Sequence, residues 1–134
     1  MVAQILVVDD NRDNLELMRF LLSVSGYDVA LAQGGAEAIR LAGEQPTDLV
    51  LMDIQMPGID GYEAAAAIRA LPSGDEVSIV AVTAFAMVGD RDQVLGRGFD
   101  GYITKPIAPT TFIAQVEDHL PAHRRTERST RGGA

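Results

Sequence analysis

The sequence predicts an α/β fold in which a parallel five-stranded sheet is covered by helices on both faces. Short, nearly continuous apolar runs alternate with segments of helical periodicity. Continuous apolar runs are typical of parallel strands that are buried on both faces. Five such strand–helix units fill residues 1 to about 120. The chain has 134 residues, no cysteine and 47% hydrophobic residues, so we expect one domain that is stabilised by its core rather than by disulfides.

Apolar runs rich in β-branched residues predict the five strands. They cover residues 5–8, 28–32, 49–52, 79–82 and 102–104. Each run is shorter than an ordinary helix, and helical periodicity resumes after it.

The first two helices are predicted from apolar spacing and from the residues that end them. Residues 12–25 place five apolar side chains at helical spacing, and Gly26 follows as a stop. Residues 35–43 are rich in alanine and end before Pro46.

Local signals bound the other three helices. The third begins at Asp60, three residues before Glu63, as a capping box requires, and runs to a breaker at residues 72–74. The fourth covers residues 90–95 between two glycines and should be short. The fifth opens near Pro109 and buries four apolar side chains before Pro121, namely Phe112, Ile113, Val116 and Leu120.

Polar side chains follow four of the predicted strands at the point where each strand ends. They are Asp9, Asp10, Asp53, Thr83 and Lys105. Because the carboxyl ends of parallel strands meet at one edge of the sheet, we expect these side chains to lie together. Carboxylates about 4 Å apart repel one another by roughly 1–4 kcal/mol per pair, so a cation is expected among them.

Two cations are available for this site. Lys105 is the only lysine in a chain that otherwise uses arginine. The second cation is a bound metal ion, for which Mg²⁺ is favoured over Ca²⁺ or Zn²⁺ because the site offers two or three carboxylates and neither histidine nor cysteine. A carboxylate beside Mg²⁺, a hydroxyl and an ammonium suit transfer of a phosphoryl group onto Asp53 itself.

Four segments carry a resemblance to a known family. They are residues 7–11 (VVDDN), 51–61 (LMDIQMPGIDG), 82–84 (VTA) and 102–106 (YITKP). In this order and spacing the chain resembles the receiver domain of two-component response regulators over residues 3 to about 120. The resemblance implies a (βα)5 doubly wound, flavodoxin-like or CheY-like sandwich with strand order 2-1-3-4-5.

The resemblance also implies residue roles. Asp53 matches the phosphoacceptor, and Asp9 and Asp10 match the acidic pair that holds Mg²⁺ together with Asp53 and the backbone carbonyl of Gln55. Thr83 matches the hydroxyl that turns towards the phosphoryl group.

Three more positions match the family's switch. Lys105 corresponds to the lysine that pairs with the phosphoryl group, and the bond to Pro106 corresponds to a cis peptide bond. Tyr102 corresponds to the aromatic residue that moves inward when the hydroxyl residue shifts.

The function that the resemblance implies is that of a single-domain regulator, similar to cell-cycle regulators of the DivK type. It would accept a phosphoryl group from a histidine kinase or phosphotransfer protein and then change its binding to a downstream protein. We expect a cytoplasmic protein that binds neither nucleic acid nor membrane. It is expected to be a monomer or a phosphorylation-dependent dimer, and to catalyse no reaction beyond its own phosphorylation and dephosphorylation.

Three alternatives remain open. The chain could be a receiver excised from a hybrid histidine kinase, although its start at Met1 argues against this. It could be a Mg²⁺-dependent phosphatase with an aspartyl-phosphate intermediate, but Gln55 stands where such enzymes carry a second aspartate, and no cap insertion is visible. A receiver-like domain that has lost phosphorylation would lack some of the residues found here.

The segment after the fourth strand predicts a partner surface. Phe85, Met87 and Val88 either pack beneath the fourth helix or belong to a partner surface built from the fourth helix, fifth strand and fifth helix. That surface would change when Thr83 and Tyr102 move. Phe85 would also screen the phosphoryl group from water and give it a lifetime of minutes or longer.

Charge divides the chain into a domain over residues 1–120 and a tail over residues 121–134. Residues 1–119 carry 7 basic and 18 acidic side chains, whereas residues 120–134 carry four arginines and one glutamate. We expect the tail to be a disordered terminus, a linker or a basic arm that contacts an acidic partner.

Overall fold

A computed structural model of the chain describes residues 3–72, 74–84 and 88–121, with residues 88–91 described by their backbone alone. Strands and helices alternate strictly. They are β1 (Gln4–Val8), α1 (Arg12–Val24), β2 (Asp28–Ala32), α2 (Gly35–Glu44), β3 (Leu49–Met52), α3 (Gly61–Arg69), β4 (Ser78–Thr83), α4 (Val88–Gly96), β5 (Gly101–Thr104) and α5 (Phe112–Glu117). All ten predicted elements are therefore present.

The five strands form one parallel sheet with the order β2-β1-β3-β4-β5, so the predicted fold class and strand order are confirmed. In this order β1 lies beside β3, with Val8 opposite Met52, and Asp9 and Asp53 follow these two residues. The sheet topology thus brings together two residues that are 44 positions apart in the sequence.

Two apolar clusters cover the two faces of the sheet. Alternate residues of β1 point to opposite faces, so Ile5 and Val7 join the cluster with α1 and α5, while Leu6 and Val8 join the cluster with α2, α3 and α4. Because both faces are buried, the strands are continuously apolar rather than alternating.

The predicted helix starts are visible in the hydrogen bonds. Asp60 caps α3 by accepting from the backbone N–H of Glu63 at 2.9 Å, and the Glu63 side chain accepts from the backbone N–H of Asp60. The capping box is therefore confirmed. Asn11 caps α1 by accepting from the Asn14 N–H, and Gly26 follows α1 with a φ of 96°.

The fifth helix is shorter than predicted. It covers only six residues, and Pro109 lies in a turn before it rather than in its first turn. The predicted side chains are nevertheless inside, since Phe112, Val116 and Leu120 are buried and Ile113 is half-buried. Apolar spacing reports which side chains face the core, and it continues through turns that lack a helical hydrogen-bond pattern.

Two predictions concern parts of the chain outside this description. Phe85 and Met87 lie outside the described residues, and of Val88 only the backbone is described, at the start of α4. The predicted tail lies outside them as well, apart from Pro121. Within the described ranges, no helix combines the length and apolarity needed to cross a membrane.

Candidate functional site

Three carboxylates meet at the carboxyl edge of the sheet. One carboxylate oxygen from each of Asp9, Asp10 and Asp53 lies within 4.8 Å of the other two. Asp9 is fully buried and Asp53 is 5% exposed, whereas Asp10 is open to solvent. Main-chain hydrogen bonding holds the end of β3 in place here, because the backbone N–H of Asp53 donates to the carbonyl of Val8 at 2.9 Å.

Lys105 supplies a positive charge to this cluster. Its Nζ lies 2.9 Å from Asp9 Oδ2 and 3.4 Å from Asp53 Oδ2. The lysine is held at the end of β5 by its backbone N–H, which donates to the carbonyl of Thr83 at 2.8 Å. Burial lowers the pKa of Lys105, but its contacts with Asp9 and Asp53 outweigh burial, so the net pKa is raised and the side chain stays charged.

The environment of Asp53 raises the pKa of its carboxyl. Burial, followed by the charge of Asp9, raises its pKa from 3.8 to about 6. The charge of Lys105 and its hydrogen bond act in the opposite direction, and Asp10 adds a smaller rise. A perturbed carboxyl in a polar cleft is a frequent sign of a functional site.

Asp9 is oriented from two sides. Its Oδ1 accepts from the backbone N–H of Asn11 at 2.8 Å, while its Oδ2 faces Lys105. Sequence reasoning missed this contact, although an aspartate side chain commonly accepts from the backbone N–H two residues further on.

The other predicted residues lie on β4, on β5 and in the loop after β3. Thr83 ends β4 and is 1% exposed. Tyr102 is half-buried on β5, where it packs against the apolar core cluster that contains residues of α3 and α4. Gln55 is exposed in the loop after β3, two residues beyond Asp53. The peptide bond from Lys105 to Pro106 is cis, as the resemblance implies.

The donor set of the cluster suits a hard divalent cation. It offers carboxylate oxygens, one of them on an exposed residue that a hydrated ion can reach. Mg²⁺ is commonly held by one or two carboxylates, waters and phosphate oxygens. The cluster is therefore compatible with Mg²⁺.

Comparison with known proteins gives one consistent family. A family model described as the response regulator receiver domain matches residues 5–117. The polar-differentiation response regulator DivK of Brucella ovis is 38% identical over 120 residues, which cover 90% of this chain and 98% of that protein. DivK of Brucella anthropi is 39% identical over 123 residues, with the same coverage.

Solved structures agree with the fold. The chemotaxis protein CheY4 of Vibrio cholerae superposes with a TM-score of 0.85 at 26% identity, covering 90% of this chain and all of that one. The receiver domain of the sensor histidine kinase PA1611 from Pseudomonas aeruginosa has a TM-score of 0.79 at 36% identity, covering 88% and 97% of the two chains. That structure has a magnesium ion coordinated in its active-site cleft.

Proposed function

Since the chain belongs to the receiver domain family of two-component response regulators, we propose that it is a phosphorylation-controlled switch whose acceptor is Asp53. One observation carries this proposal. The Asp53 carboxylate lies in a group of three acids and within 3.4 Å of the Lys105 ammonium, at the edge of the sheet where a ligand can enter.

The proposed reaction is an in-line displacement at phosphorus. An Asp53 carboxylate oxygen forms the new P–O bond, the P–N bond of a phosphohistidine breaks, and the departing imidazole takes up a proton from solvent. With a pKa of about 6, Asp53 is mostly ionised at pH 7 and needs no general base. A cation bound nearby lowers the pKa of Asp53.

Asp9, Asp10, Asp53 and the backbone carbonyl of Gln55 would hold Mg²⁺. The ion would neutralise charge on the phosphoryl oxygens as they approach the acids. Lys105 already lies between two of these carboxylates, so its ammonium can exchange a carboxylate oxygen for a phosphoryl oxygen with little movement. These residues bind and orient the group, while the chemistry occurs at Asp53.

Thr83 and Tyr102 would convert the new charge into a change of surface. Thr83 ends β4 directly beside β5, where it pairs with Thr104, and Tyr102 pairs with Ala81 two residues earlier. A shift of the Thr83 hydroxyl towards the phosphoryl group changes the space that the Tyr102 ring can occupy. The surface formed by α4, β5 and α5 would then change, and a partner protein would bind it differently.

The proposed partners are a histidine kinase or phosphotransfer protein as the donor and a protein that binds the α4–β5–α5 surface as the target. The protein is proposed to act as a monomer or as a phosphorylation-dependent dimer. A receiver from a hybrid kinase and a Mg²⁺-dependent phosphatase are the alternatives, and the comparisons favour neither.

Intact-mass measurement after incubation with acetyl phosphate tests the proposal. We expect wild type to gain one phosphoryl group in Mg²⁺ and none in chelator. Asp53→Asn should gain none in either condition. Asp28→Asn, which removes an exposed carboxylate from the opposite end of the sheet, should behave like wild type.

Two results would contradict the proposal. Phosphorylation of Asp53→Asn would move the acceptor to another residue. A folded wild-type protein that binds Mg²⁺ but gains no mass would instead indicate an interaction domain that works without phosphorylation.

A further inference from the structure

Two helices beside the site begin with glycine, a residue that is disfavoured in helices. Gly35 is the first residue of α2, and Gly61 is the first residue of α3. Neither has the positive φ that would require glycine for its backbone conformation. The reason for glycine at these positions must therefore be the space that a side chain would occupy.

Gly61 lies against the backbone of Asp53. A Cβ at this position would be 2.4 Å from the carbonyl oxygen of Asp53 and 2.7 Å from the Cα of Ile54. The backbone N–H of Gly61 also donates to the carbonyl of Ile54 at 2.9 Å. The start of α3 is thus in direct contact with the main chain of the acceptor.

Gly35 approaches the same loop from α2. A Cβ there would be 2.8 Å from Ile59 Cγ2 and 2.9 Å from the Ile59 carbonyl oxygen. Ile59 belongs to the segment between β3 and α3, which also contains Gln55. This segment is therefore held between the first residues of two helices.

We propose that Gly61 and Gly35 are positioning residues for the phosphorylation of Asp53, an inference that rests on the proposed function. Gly61 sets the place of the Asp53 main chain, and Gly35 sets the place of the segment that carries the Gln55 carbonyl. Neither residue touches the phosphoryl group. Each acts by allowing a helix to approach closely enough to hold the acceptor and the metal-binding carbonyl in register.

The size of the expected displacement follows from the distances. A Cβ essentially never lies closer than 3.0 Å to a non-bonded heavy atom of a distant residue, so a Cβ at 2.4 Å requires a shift of about 0.6 Å or more. The contacts of Gly61 are with main-chain atoms, which no rotamer change can relieve. A misplacement of about 1 Å can lower a rate by about 10²-fold.

The test compares three alanine variants. Gly61→Ala should lower the initial rate of phosphorylation by acetyl phosphate, at saturating Mg²⁺, by about 10- to 100-fold. Gly35→Ala should act mainly by weakening Mg²⁺ binding several-fold, because it displaces the segment of Gln55 and part of its contact is with a side chain that can move.

Gly74→Ala is the matched control. A Cβ at Gly74 would be 2.3 Å from the carbonyl oxygen of Ile68, an equally severe main-chain contact at the opposite end of α3. It should lower the melting temperature as Gly61→Ala does and leave the phosphorylation rate and Mg²⁺ affinity of the folded protein unchanged. Rates are divided by the folded fraction, measured by circular dichroism.

Several outcomes overturn the proposal. It fails if folded Gly61→Ala is phosphorylated at the wild-type rate, or if Gly74→Ala slows phosphorylation equally. If Gly61→Ala does not fold, the inference is tested with Gly35→Ala alone. A Gly35→Ala protein with the phosphorylation rate and Mg²⁺ affinity of wild type would then refute it. If wild type itself gains no phosphoryl group, the proposed function fails, and the Mg²⁺ affinities of Gly35→Ala and Gly74→Ala still test the positioning.

Discussion

Replacing Asp53 by asparagine is expected to stabilise the metal-free protein at neutral pH. Burial and the charge of Asp9 raise the pKa of Asp53 above its ordinary value, so the folded state binds this proton more tightly than the unfolded state does. The carboxyl therefore favours folding at low pH, and this contribution is lost as the pH rises from about 4 through 6. Asparagine has nearly the same shape and carries no charge.

The magnitude follows from the pKa values. Each pKa unit corresponds to about 1.4 kcal/mol, so the rise from 3.8 to about 6 corresponds to about 3 kcal/mol. Asp53→Asn should exceed wild type by up to this amount in free energy of unfolding at pH 7.5, or by about 10 °C in melting temperature. Near pH 4 the difference should fall below about 1 kcal/mol, because the folded-state carboxyl is then protonated.

Urea unfolding followed by circular dichroism measures this difference. The experiment is run in chelator at pH 7.5 and pH 4, with Asp13→Asn as the control because Asp13 is exposed on the first turn of α1. The control should change the free energy of unfolding by less than about 0.5 kcal/mol. In Mg²⁺ at 100 times its Kd, wild type should gain about 2.7 kcal/mol. Asp53→Asn replaces a carboxylate of the proposed Mg²⁺ site by a neutral amide and should gain less, so the difference in free energy of unfolding between the two proteins should become smaller.

The reasoning would be refuted by either of two results. One is an Asp53→Asn protein that is no more stable than wild type at pH 7.5 in chelator. The other is a stability gap of the same size at pH 4, which would mean that the gain comes from packing or hydrogen bonding rather than from removal of a buried charge.

Three further substitutions test the packing around the site and the sheet. Asp60→Ala should lower the free energy of unfolding by about 1 kcal/mol through loss of the capping box of α3, and Asp60→Asn should restore most of it in urea titrations. Arg69→Met should lower the free energy of unfolding by roughly 2–3 kcal/mol. The reason is that the guanidinium donates to three main-chain carbonyls and one carboxylate in the loops before β4 and β5. An unchanged urea midpoint would contradict this prediction. Tyr27→Phe should cost about 1–3 kcal/mol by removing the hydroxyl that donates to buried Glu117, and an unaltered melting temperature would rule out that role.

Local patterns in the sequence predicted the kind and order of the ten elements. The continuous apolar strands and the cap at Asp60 depend on interactions within a few residues, so they can be read without the fold. The predicted start of α5 was wrong because the periodic burial of apolar residues extends through the turns on both sides of the six helical residues.

The position of the candidate site could also be predicted, because residues that end parallel strands share one edge of the sheet. The different environments of the acids in the site could not be predicted from the sequence. Asp9 and Asp10 are adjacent in the sequence, yet one is fully buried between Asn11 and Lys105 while the other is exposed. The direction of the chain at the end of β1 decides which of the two acids is buried. Lys105, which is 96 positions from Asp9, covers the buried one.

The contacts that remained invisible in the sequence join residues far apart in the chain. Tyr27 meets Glu117 across 90 positions, and Arg69 reaches Asp100 across 31. A glycine at the start of a helix is likewise ambiguous until the atoms beside it are known, as at Gly61. The sequence pattern thus determined the fold class and which polar residues follow the strands, because these depend on near neighbours. Only the tertiary structure decided burial, proton affinity and close approach, because these depend on which distant residues fill the surrounding space.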